Sequence, residues 1–146
     1  MKKIIVLLMA IFLSTTLVFA ISPKKKEKPS DYNLGIKYEQ AIKVDKPAIV
    51  LFYADWCTYC KKFMPTYEKL SKDYKDKYNI VMVDVDKNID LAREYTISGF
   101  PTLYIIDPII DNRVHLDNGI YGSKVLLNKE LDRYLNIRAR IKWNNL

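Results

Sequence analysis

Six consecutive apolar residues, Ala48-Ile49-Val50-Leu51-Phe52-Tyr53, run almost directly into Cys57 and Cys60. A run this short, rich in strand formers and without a polar face, is expected to be a central strand covered on both sides. Such a strand requires a sheet with helices packed against it. The residues from Cys57 to about Tyr78 supply one, with Cys60, Phe63, Met64, Tyr67, Leu70 and Tyr74 at helical spacing and Pro65 interrupting them.

The rest of the chain continues the alternation. Leu34 to Val44 reads as a short amphipathic helix that ends before Pro47, Ile80 to Val85 as a second buried strand, and Asn88 to Tyr95 as a short helix. Thr102 to Ile106 reads as a third strand and Arg113 to Leu116 as a fourth, with a turn at Asp107–Asn112. A last helix is expected from Lys124 to Asn136, burying Val125, Leu127, Leu131 and Leu135. The order αβαβαββα predicts an α/β fold with a central mixed four-stranded sheet, room for a short fifth strand, and flanking helices.

Two cysteines at a strand-to-helix junction carry the chemistry. Unpaired N–H groups and partial positive charge at a helix start favour a thiolate there, which assigns Cys57 the nucleophile. Cys60, one turn further in, is expected to be more covered and to resolve the mixed disulfide that Cys57 forms with a partner. A purely structural bridge between them would close a tiny loop of little entropic value. A tetrahedral zinc site wants four ligands, whereas the chain holds two cysteines and one histidine, His115. No metal and no cofactor is expected.

The segment Phe52-Tyr53-Ala54-Asp55-Trp56-Cys57-Thr58-Tyr59-Cys60-Lys61, followed by Pro65, resembles the active-site segment of thioredoxin-like proteins, and Gly99-Phe100-Pro101-Thr102 resembles their second signature. The resemblance covers about Leu34 to Leu135. It implies a thioredoxin-like fold, a cis Pro101 lying against the cysteine pair, and Phe100 offering backbone groups to an extended partner. Trp56 and Tyr59 are expected at a docking rim, with Tyr53 beside them. Gly119 or Gly122 would stand where the family keeps a glycine beside the site.

The chain departs from the family at two positions. Its buried aspartate, six residues before the first cysteine, is Leu51 here, and the lysine paired with it aligns with Met82. Both charges are replaced together, so neither is left buried alone. With the usual proton acceptor missing, Asp55 is a candidate for proton transfer. His115 is read as a strand residue lying away from the cysteine end.

At the N-terminus, Lys2 and Lys3 precede an apolar run from Ile4 to Leu13 and small residues at Val18 and Ala20, the order of a secretory signal peptide. The alternative is an uncleaved anchor in the inner membrane. The expected organisation is therefore a signal peptide at 1–20, a flexible basic linker at 21–31, a thioredoxin-like domain at 32–137 and a basic tail at 138–146. Lys2 and Lys3 are the signal's only charged residues, so 22 basic and 17 acidic side chains remain in the other 126. That moderate excess comes with no nucleic-acid-binding motif.

Ala-Asp-Trp-Cys is similar to exported thioredoxin-like domains that pass reducing equivalents in the bacterial periplasm. The expected function is an exported, monomeric oxidoreductase that reduces protein disulfides and is recharged by a redox partner protein. Thr58-Tyr59 between the cysteines favours neither redox extreme, which leaves disulfide oxidation or isomerisation by the same pair as an alternative. A redox-inert peptide-binding module is a third reading.

Overall fold

The computed structural model describes residues 25–144. The expected signal peptide and the first linker residues, 21–24, lie outside the described residues. A single 3-10 turn, Pro29–Tyr32, leads into α1 (Tyr38–Ala41), β1 (Ala48–Tyr53), α2 (Thr58–Tyr74), β2 (Asn79–Asp84) and α3 (Ile89–Glu94). After these come β3 (Thr102–Asp107), β4 (Asn112–Leu116), α4 (Asn118–Tyr121) and α5 (Lys124–Asn144).

β1 is buried along its whole length, as its uninterrupted apolar composition requires. It pairs parallel with β2 and antiparallel with β3, and β4 completes the sheet in the order β2-β1-β3-β4. The parallel pair needs a crossover, which α2 provides. Tyr67 fixes that helix to the sheet: its side chain is fully buried, with the hydroxyl 2.9 Å from the carbonyl of Ile49 and 2.8 Å from that of Val81. α2 passes through Pro65 without a break. The proline ring faces solvent, so the helix gives up one backbone bond and little packing.

The helix expected from Leu34 shortens to Tyr38–Ala41, and Gly35 is the reason. Its φ is +79°, and a Cβ there would stand 1.8 Å from the carbonyl oxygen of Ile80. The chain is thereby pressed against β2, where the Ile36 N–H donates to Ile80 at 2.9 Å and Ile36 forms one parallel bridge with Val81. The short fifth strand is reduced to this bridge.

Both ends of the domain extend beyond the expected bounds. The last helix runs on to Asn144, through much of the expected basic tail, because Arg138 pairs with the buried Asp107 and with Asp45, which also takes Lys142 at 2.6 Å. Its buried face is Leu127, Leu131 and Tyr134, whereas Val125 is exposed. At the other end, part of the expected linker is docked. Pro29 is buried, Lys26 reaches Glu68 of α2 at 2.7 Å, and Ser30 binds Asp55. No helix among the described residues is long and apolar enough to cross a membrane.

Candidate functional site

The end of β1 delivers Cys57 to the N-cap of α2, with extended backbone and its side chain turned back over the first turn. The Cys60 N–H donates to Cys57 Sγ at 3.2 Å, so one of the helix's orphan donors points at the sulfur that is to carry charge. Both cysteines are free thiols. Cys57 keeps 6% of its surface accessible and Cys60 none, which gives an outer sulfur that a partner reaches and an inner one that it does not. Burial, then a hydrogen bond to Cys57, pushes the Cys60 thiol up to about 12. A bond that raises an acid's pKa is one its protonated form donates, so the inner proton is held toward the outer sulfur.

The Gly99–Thr102 loop faces the pair. The Phe100–Pro101 peptide is cis, and the Phe100 carbonyl oxygen lies 3.6 Å from Cys57 Sγ. Pro101 is buried, and its carbonyl accepts a 2.7 Å hydrogen bond from the Tyr121 hydroxyl. Trp56 is largely exposed. Its indole N–H donates to Asp86 at 2.9 Å, and its ring meets Phe100 edge to face with centroids 5.8 Å apart. Tyr59 is 73% exposed at the rim, but Tyr53, expected beside it, is buried.

A groove of about 850 Å³ opens between the first turns of α2, this loop and the α4–α5 junction. Tyr59, Phe63, Phe100 and Tyr121 supply aromatic wall, and Lys62 and Lys124 supply cations. His115 lies on it too. The expectation that its strand runs away from the cysteine end is corrected by the register: Leu116 pairs with Leu103, so β4 finishes beside the start of β3 and the loop that carries Pro101. Of the two candidate glycines, Gly122 lines the groove and Gly119 does not.

Asp55 is half-buried and already occupied. It accepts from the Ser30 N–H at 2.9 Å and the Ser30 hydroxyl at 2.7 Å, with Lys28 at 3.5 Å. Burial raises its pKa, but these partners outweigh burial and hold the carboxyl below its ordinary value. It is thereby an anchor for the N-terminal segment and a poor proton acceptor. Leu51 and Met82 are register partners across β1 and β2, so two apolar side chains occupy the place of the family's charged pair. Among the described residues, no three His, Cys, Asp or Glu side chains gather as a metal would require.

The profile of the family described as Thioredoxin matches residues 32–115, more than half of the chain. The chain belongs to the thioredoxin family. A mitochondrial thioredoxin domain-containing protein of Schizosaccharomyces pombe is 34% identical over 104 residues, 70% of this chain and 28% of its own length. A chloroplastic thioredoxin-like protein of Arabidopsis thaliana is 37% identical over 101 residues, 68% of this chain and 37% of its own. This thioredoxin domain thus spans well under half of either relative. Oxidised mitochondrial thioredoxin 3 of Saccharomyces cerevisiae superposes with a TM-score of 0.54 at 25% identity, over 64% of this chain and 84% of that one. The Cys57/Cys60 pair lies within the residues that the family profile matches.

Tyr121, Asp86 and Lys62 were not singled out by sequence reasoning. Tyr121 and Asp86 meet distant partners, the Pro101 carbonyl and the Trp56 indole, whereas Lys62 joins the groove only through the packing of α2, and local pattern carries no signal for either. The one hint in the sequence is that Tyr121 adjoins Gly122, one of the two glycines expected beside the site.

Proposed function

We propose that this protein is an exported oxidoreductase that reduces protein disulfides through Cys57 and Cys60. The observation that carries the reading is the division of the pair: an outer sulfur receiving the helix's N–H at 3.2 Å beside the Phe100 carbonyl, and an inner thiol shielded from solvent.

The Cys57 thiolate attacks one sulfur of a partner disulfide in line, forming a mixed disulfide and expelling the other partner sulfur as a thiolate, which takes a proton from water. Cys60 then gives up its proton and attacks Cys57 Sγ. The Cys57–Cys60 disulfide forms, the bond to the partner breaks, and the departing thiolate takes a proton. Two electrons have passed from the pair to the partner. Among the described residues no carboxylate bears on Cys60, so its proton passes to the departing partner sulfur, directly or through water.

Export is supported by the signal-like first 20 residues, and the reductive direction by the likeness of Ala-Asp-Trp-Cys to periplasmic relatives. The protein is read as a monomer without a cofactor, kept reduced by a partner protein. Reduction of insulin with dithiothreitol as electron source tests the activity. Cys57→Ser is expected to abolish turnover, while Cys60→Ser is expected to accumulate a mixed disulfide detectable by mass spectrometry. Equal turnover by wild type and Cys57→Ser defeats the reading. Equilibration with glutathione tests the direction, since a strongly oxidising potential assigns the pair to disulfide formation.

A further inference from the structure

Several cations on this surface are answered by carboxylates. Lys26 meets Glu68, Lys28 meets Asp55, Lys87 meets Asp84, and Arg113 meets Glu94. The groove beside Cys57 is different. Its charged lining is Lys62 and Lys124, with the His115 imidazole at one edge, and no aspartate or glutamate lines it. Lys62 projects from α2 two residues past Cys60, is exposed, and has no carboxylate within ion-pair distance among the described residues. Lys124 pairs with Asp73 at 3.6 Å, with both side chains nearly half exposed, and Asp73 does not line the groove.

On the other side of Phe100 lies a shallower trough of different character, with Val85, Ile89, Ala92 and Ile97 as its apolar wall and Arg93 its one charged residue. An extended chain laid across Cys57 therefore meets a mainly apolar trough on one side. On the other it meets an aromatic groove that carries two cations.

We propose that the groove selects disulfide-bearing segments with an aspartate or glutamate beside the reacting cysteine on the Lys62/Lys124 side. This deepens the exchange reading above and rests on it. The carboxylate adds attraction to both lysines while neighbouring apolar side chains lie against Tyr59, Phe63 and Tyr121. The partial positive charge at the start of α2 acts in the same sense. Both lysines are exposed, so the effect is a modest one on encounter and orientation, screened by salt.

The test uses reduced protein and disulfide peptides identical except for Glu, Gln or Lys next to the cysteine. Rates of peptide thiol release are measured at low and high salt, with hydroxyethyl disulfide as an uncharged reagent. Two exposed ion pairs give an expected Glu-over-Lys preference of about fivefold at low salt. The preference should shrink toward parity at high salt, with the Gln peptide between the others.

The Lys62→Glu/Lys124→Glu double variant should reverse the order, and the milder Lys62→Gln/Lys124→Gln variant should erase it. Equal rates for the three peptides, or an order that survives charge reversal, overturn the proposal while reaction with hydroxyethyl disulfide leaves the exchange reading standing. Failure to reduce any peptide or the small reagent defeats the exchange reading, and this proposal with it.

Discussion

Cys60 keeps its proton because its charged form would be cut off from water and would face the sulfur of Cys57 across the first turn of α2. The thiol ordinarily titrates near 9, and in the folded, reduced protein it is pushed up to about 12. The folded state thus holds this proton more tightly than the unfolded state does. Its contribution to stability is complete below pH 9 and is lost as the pH rises through 12. Denaturant titrations of the reduced protein are therefore expected to show stability falling from about pH 9, ahead of the loss caused by Tyr53 and Tyr134, whose phenols burial also pushes to about 12 from an ordinary 10. Cys60→Ala should remove the early part of the decline and keep the later part. An identical pH dependence in wild type and variant would show that the inner thiol is not shielded as described.

Beyond its buried face of Leu127, Leu131 and Tyr134, α5 meets a charge at the far end of the sheet. Asp107 closes β3 with its side chain fully buried, and Arg138, three turns beyond Leu127, is the cation that answers it. Removing one member of such a pair leaves the other charged in a place without water, which costs about 3–5 kcal/mol, whereas replacing both costs far less. Arg138→Met should accordingly destabilise the protein by about 3 kcal/mol in urea unfolding, and Asp107→Asn/Arg138→Met should recover most of that loss. Equal losses in the single and double variants would refute the pairing.

The same contact explains what the sequence could and could not reveal. Periodicity found the strands, their order and the buried stripe of α2, because each depends on neighbours two to four residues away. The extension of α5 depends on Asp107 and Asp45, 31 and 93 residues from Arg138, and the shortening of α1 depends on Ile80 meeting Gly35. At the site, Cys57, Cys60 and Pro101 were legible from motifs. His115 was misplaced because the register of β4 on β3, which brings it to the groove, is not written in local spacing.

The molecule as a whole begins earlier than its composition suggests. Residues 26–31 contain lysines, a proline and little else to bury, the make-up of a linker. Yet Pro29 is enclosed, Lys26 lies 4.4 Å from the Tyr32 ring centroid and bonds Glu68, and Ser30 makes two hydrogen bonds to Asp55, the residue just before Trp56. The segment braces the turn from β1 to α2, and loss of the brace should be felt at the cysteine pair. The Ser30 bonds to an ionised carboxylate are the stronger kind, at about 1.5–3 kcal/mol, while the exposed Lys26 pair adds little. A chain starting at Lys25 is expected to melt like the longer protein, and one starting at Asn33 about 10 °C lower, taking a loss of about 2 kcal/mol in a domain of this size. Ser30→Ala in the longer chain should reproduce part of the shift and release Asp55 toward its ordinary pKa, measurable by carboxylate NMR. If the two truncated chains melt together, the segment is a passive leader and the domain starts where composition alone would place it.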